Sequence, residues 1–158
     1  MEKIRMSMIL LLGCLVASAT AQSASNAKAF WAEFKAKEHH WDLNEVGVYC
    51  SQWQVFTDKP LEWRSKYNWT AFCGDVGPVG LEACGRCLNV TNLHDPNGKP
   101  VTVRILDMCT IPSLVLERDV FDAMDTPDSQ GITIGHLIVS YKFVDCGDYP
   151  SIRLYPDE

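Results

Sequence analysis

The sequence predicts a small, mainly β domain closed into a barrel and held by disulfides, and three observations carry that prediction. Cys50, Cys73, Cys84, Cys87, Cys109 and Cys146 all stand downstream of an apolar leader. Residues 136–144 alternate strictly: Leu137, Val139, Tyr141 and Phe143 share one face, and His136, Ile138, Ser140 and Lys142 the other, which is the period of a half-buried strand. The quartet Asp95-Pro96-Asn97-Gly98 is a turn signature between two short β candidates. Short strands punctuated by turns, with one or two short helices, suit a small barrel.

The leader begins with Lys3 and Arg5, continues through an apolar run at 6–16 and ends in Ala19-Thr20-Ala21. That is the pattern of a signal peptide over residues 1–21, cut after Ala21. The run is too short for a membrane span, which needs roughly 20 residues, so no membrane association is expected. Cys14 leaves with the leader, and the even count that remains fits a disulfide framework in an oxidising compartment. Loss of Glu2, Lys3 and Arg5 moves the formal charge from −6 to −7. An acidic chain is a poor general binder of nucleic acid, because phosphate neutralisation supplies most of that affinity. The remaining chain suits one domain, with an N-terminal segment at 22–40, the domain proper at 41–148 and a tail at 149–158. Nothing in it argues for a dimer, so a monomer is expected.

In chain order, residues 27–37 read as either a helix or an irregular strand. Val46, Val48, Cys50 and Val55 stand among polar neighbours and predict a strand over 46–55. Residues 61–69 read as a loop with charges between aromatics, and Gly77-Pro78 marks another at 74–80. The strand candidates at 87–91 and 101–106 flank the 95–98 turn and form a predicted hairpin. Val120, Phe121 and Met124 recur at helical spacing, predicting a helix over 117–124. Six cysteines allow 15 pairings, and spacing alone does not choose among them. Cys84 and Cys87, only three positions apart, are expected to pair outward rather than with each other. Asn68-Trp69-Thr70 and Asn89-Val90-Thr91 are sequons, which makes Asn68 and Asn89 candidate glycosylation sites.

Several segments together resemble the barwin family of plant wound-induced proteins, the fourth class of pathogenesis-related proteins. They are Trp41-Asp42-Leu43, the run from Leu61-Glu62-Trp63-Arg64 to Phe72-Cys73-Gly74, Ala83-Cys84-Gly85-Arg86-Cys87-Leu88 and Val90-Thr91-Asn92. Arg104-Ile105-Leu106-Asp107-Met108-Cys109, Gly135-His136-Leu137 and Tyr141-Lys142-Phe143-Val144-Asp145-Cys146 continue the match. The resemblance implies a double-psi β-barrel with three disulfides, Cys50–Cys84, Cys73–Cys109 and Cys87–Cys146. No hevein-type module is expected before it. It further implies secreted antifungal or antibacterial defence, weak binding of chitin-type oligosaccharide and, for several members, ribonuclease activity.

Three chemistries are open to these residues. For saccharide binding, a sugar ring stacks on an indole while charged and amide groups take its hydroxyls. Trp53, Trp63 and Trp69, with Arg64, Lys66 and Asn68 nearby, suit that role, against the alternative of core packing. Metal-independent RNA cleavage needs a base, an acid and a cation, and the resemblance maps these roles onto His136, Asp107 and Arg104. A second family histidine falls at Ala32, which cannot transfer protons and weakens that reading. Glycoside hydrolysis normally needs two carboxyl groups, and the family position for the second falls at Val115. His39-His40 lacks a plausible ligand set, so neither metal nor cofactor is expected. Cell-wall oligosaccharide is the expected partner, with RNA as the alternative. Secretion is the expected destination; Ser151-Ile152-Arg153-Leu154 resembles a vacuolar sorting signal that lacks its Asn-Pro, leaving the vacuole as an alternative.

Overall fold

The computed structural model describes residues 22–148. Residues 1–21 and 149–158, on which the expected signal peptide and the expected sorting signal fall, lie outside the described residues. Six strands, β1 (Ser23–Ala32), β2 (Asn68–Phe72), β3 (Cys87–Asn92), β4 (Val101–Asp107), β5 (Leu114–Glu117) and β6 (Leu137–Val144), close into a barrel in the order β1-β5-β2-β4-β3-β6. The pairs β1/β5 and β2/β4 are parallel, and the other four are antiparallel. Closure satisfies every strand on both sides and leaves no exposed edge.

Alternation explains the interior. Leu88 and Val90 on β3, Val103 and Ile105 on β4, Leu114 and Leu116 on β5, and Leu137, Val139 and Tyr141 on β6 all point inward and are buried. Each fully buried side chain of this kind contributes about 1.5–3 kcal/mol. The predicted helix is present as Arg118–Met124 and adds Val120, Phe121 and Met124 to this core. The predicted hairpin is β3–β4, with Val90 opposite Val101. Its turn is closed by the Gly98 amide donating to the Asp95 carbonyl. The N-terminal segment is not separate from the domain: β1 pairs with both β5 and β6 and closes the barrel.

A second layer packs outside the barrel. It consists of α1 (Leu43–Val46), a 3₁₀ turn at Tyr49–Gln52, α2 (Gln54–Thr57) and α3 (Leu61–Ser65). The strand predicted over 46–55 is therefore replaced by short helices, for local reasons. Asp42 caps the backbone amides of Asn44 and Glu45. Gly47, at φ 75°, then ends α1 after a single turn. Val48 and Cys50 are spaced like strand residues, but they are buried against Trp69 and Leu106 on the outer wall of the barrel. The stretch predicted as a loop over 61–69 holds α3 and the start of β2.

Sulfur–sulfur bonds join Cys50 to Cys84 and Cys87 to Cys146. Cys84 and Cys87 do pair outward, one to the helical layer and one to the segment after β6. Between them Gly85 adopts φ +79°, and an added Cβ would come within 3.2 Å of both Phe56 and Trp63, so the motif needs glycine there. The third expected bridge is a departure. Cys73 and Cys109 are free thiols in this structure, with the Cys73 sulfur against the Cys109 carbonyl oxygen. Backbone pairing already fixes this corner, since the Cys73 amide donates to the Ser113 carbonyl. Burial and the adjacent Cys73 thiol push the Cys109 thiol up to about 12.

Candidate functional site

Two charged residues on β4 define two environments. Arg104 is fully buried. Its two terminal nitrogens donate to the two carboxylate oxygens of Asp148, each at 2.9 Å, and one also donates to the Gly85 carbonyl at 3.0 Å. The guanidinium lies 4.0 Å from the Trp63 ring centroid, and the Trp63 indole N–H donates to Asp148 at 2.8 Å. Lys66 adds bonds to the Cys146 and Gly147 carbonyls. Burial works to raise the Asp148 carboxyl, but the hydrogen bonds and charge of Arg104, with Trp63 and Lys66 behind them, outweigh it and hold the group below the usual carboxylate range. This is a clasp that fastens the end of the domain to the barrel wall.

The second environment is an open strip on the outer wall. Asp107 is paired in register with Ala71, Ala71 with Val115, and Val115 with Phe30. Ala29 pairs with Leu137, which sets Phe30 beside His136, their ring centroids 5.8 Å apart. Asp107, Val115, Phe30 and His136 are partly exposed, while Ala71 is a buried, small floor between them. At the other end, the Tyr49 amide donates to the Asp107 carboxylate at 2.8 Å. The Tyr49 ring stands edge-on to Trp53 at 5.0 Å. The strip therefore carries the Phe30 and His136 rings at one end and, at the other, the Asp107 carboxylate held by the Tyr49 amide. A bulge between Thr70 and Ala71 in the β2–β4 pairing turns Asp107 onto the outer face.

The structure separates the residues singled out from sequence. Trp69 is fully buried, its indole N–H donating to the Arg64 carbonyl at 2.8 Å and its ring edge-on to Trp41. It is a core residue and not a sugar platform, because β2 carries it beneath the helical layer. Arg64 donates to the Trp41 carbonyl at 2.9 Å and ties that layer together. Trp63 has one face covered by Arg104 and lies within 5.6 Å of the Lys59 ammonium. Of the predicted saccharide group, Trp53 is partly exposed and stands edge-on to Tyr49, whose amide holds Asp107. His136 immediately precedes β6 and Asp107 ends β4, and no hydrogen bond or ion pair joins them among the described residues. Arg104, predicted as a phosphate-binding cation, has its charge taken up by Asp148. Tyr49 and Phe30 were missed. Phe30 lies on β1, where the sequence reads equally as helix or strand, and Tyr49 lies in a 3₁₀ turn where the sequence predicts a strand.

A closed six-stranded barrel with two parallel pairs is the fold of the chain, and its relatives share it. The barwin family model matches residues 23–146, so the chain belongs to the barwin family. Among solved structures it is similar to an expansin from Clavibacter michiganensis solved in complex with cellohexaose. That match has 19% identity and a TM-score of 0.50, and covers 81% of this chain and 53% of the expansin. The chain thus spans about half the length of that protein. It is also similar to cerato-platanin 2 from M. perniciosa, with 14% identity, a TM-score of 0.53, and coverage of 75% of this chain and 94% of that one. At these identities the likeness is one of fold.

Proposed function

We propose that this protein is a secreted defence protein that binds β-linked cell-wall oligosaccharide along the strip from Trp53 and Tyr49, past Asp107, to Phe30 and His136. The single observation that carries this is the strip itself: a partly exposed row with the Phe30 and His136 rings at one end, a small floor at Ala71 and, at the other end, a carboxylate that accepts a hydrogen bond from the Tyr49 amide, with Trp53 edge-on to the Tyr49 ring. An extended sugar chain needs stacking surfaces at intervals and polar partners for its hydroxyls, and the strip supplies both. The cellohexaose bound by the related expansin supports a β-linked glucan or chitin-type ligand. Two disulfides among the described residues support passage through an oxidising compartment. RNA cleavage has less support, because the Arg104 charge is taken up by Asp148, Ala32 stands at the second family histidine position and the chain is acidic.

The test is titration of the purified protein with cello- and chito-oligosaccharides, followed by tryptophan fluorescence. A saturable change is expected with at least one series, weakened by Asp107→Asn and altered in amplitude by Trp53→Phe. No change from either series at millimolar ligand would remove the proposal.

A further inference from the structure

We propose that Asn89 carries an N-linked glycan and that Asn68 does not. Both lie in sequons, but their strands present them to opposite sides of the wall. On β3, Leu88 and Val90 point into the barrel core and are fully buried, while Asn89 and Thr91 point outward and are partly exposed. The sequon's asparagine and threonine thus share one solvent-facing edge. On β2 the parity is reversed. Asn68 shares its face with Thr70 and Phe72, both buried. The Thr70 hydroxyl is held at 2.8 Å by the Val115 carbonyl. A glycan on Asn68 would have to leave from the inner face of its strand.

Asn89 also opens into a surface pocket of about 510 Å³ that Ser23, Ser25, Thr91, Ser140 and Lys142 help to line. Asn89 stands in register with Lys142 on one side and Thr102 on the other. A sugar attached there meets a mixed surface, with hydroxyl and ammonium groups beside Ala24, Pro100 and Tyr141. In the closed six-strand order, β3 lies between β4 and β6 and contributes no residue to the strip. The assignment stands whether or not the strip binds oligosaccharide.

The experiment produces the full chain, leader included, in a eukaryotic secretory host and compares intact masses before and after digestion with a peptide N-glycosidase. The wild type is expected to lose the mass of one glycan. Asn89→Gln and Thr91→Ala should each abolish that shift, and Asn68→Gln should leave it unchanged. A wild-type product that shows no shift, whether secreted or retained, overturns the proposal. So does a shift that survives Asn89→Gln, or one that disappears with Asn68→Gln.

Discussion

On β4, Arg104 and Asp107 stand three residues apart, yet Arg104 is enclosed by Asp148, Gly85 and Trp63 while Asp107 looks onto an uncovered surface. Both are charged and both lie on the outer wall. The difference is what covers them. The helical layer and the segment ending at Asp148 close over Arg104, and its charge is consumed in holding the domain together. At Asp107 the bulge brings the side chain out at the border of that layer, where the Tyr49 amide steadies the carboxylate without covering it. Covered charge contributes to stability, and uncovered charge remains available to a ligand.

Substitutions can break or sharpen this contrast. The largest effect is expected on the covered side. Trp69→Ala should cost about 4 kcal/mol, in the range for losing a buried aromatic ring, read as a fall in the urea midpoint. Arg104→Ala should cost about 3 kcal/mol, because it leaves Asp148 without its partner. Oligosaccharide affinity of the molecules that remain folded should hardly change. If Arg104→Ala instead abolished binding while leaving stability intact, the assignment of clasp and strip would be reversed. On the open side, Asp107→Asn should lower oligosaccharide affinity about tenfold, corresponding to roughly 1.4 kcal/mol, while shifting stability by less than about 1 kcal/mol. Isothermal titration and denaturation of the same sample separate the two.

The smallest effect is a pH dependence of the clasp. The Asp148 carboxyl is held below its unfolded value of about 3.9. As pH falls, the unfolded chain takes up this proton first, so the contribution of the clasp is complete above about pH 4 and lost below it. Solvent reaches Asp148 and weakens the pair, which keeps the change small. It should appear as a shallow fall in thermal midpoint below pH 4 that Asp148→Asn removes.

Much of the barrel was legible because its signals are local. The alternation of β6, the Asp95–Gly98 turn with its flanking strands, and the helical spacing of Val120, Phe121 and Met124 each depend on a few neighbouring residues. The stretch from Val46 to Val55 misled for an equally plain reason. Apolar residues two apart signal burial on one side, and here they are buried by one-turn helices laid on a barrel wall. The tryptophans misled because the same indole serves as a platform or as packing, and only the neighbours decide which. Phe30 joins Asp107 and His136 in one strip through β1/β5 and β2/β4 pairings between segments far apart in sequence, and Tyr49 meets it through its amide.

By itself, then, the sequence determined the strands that alternate, the turn that joins two of them, the outward pairing of Cys84 and Cys87 and the family resemblance. These follow from propensity, period and spacing along the chain. Only the tertiary structure decided that Trp69 is core, that Arg104 is spent on Asp148, that Asp107 is open, and that Asn89 faces outward where Asn68 faces in. Each of these depends on which wall of the barrel a side chain meets and on what lies over it. Those are properties of strand register and layer contact, and no window of sequence contains them.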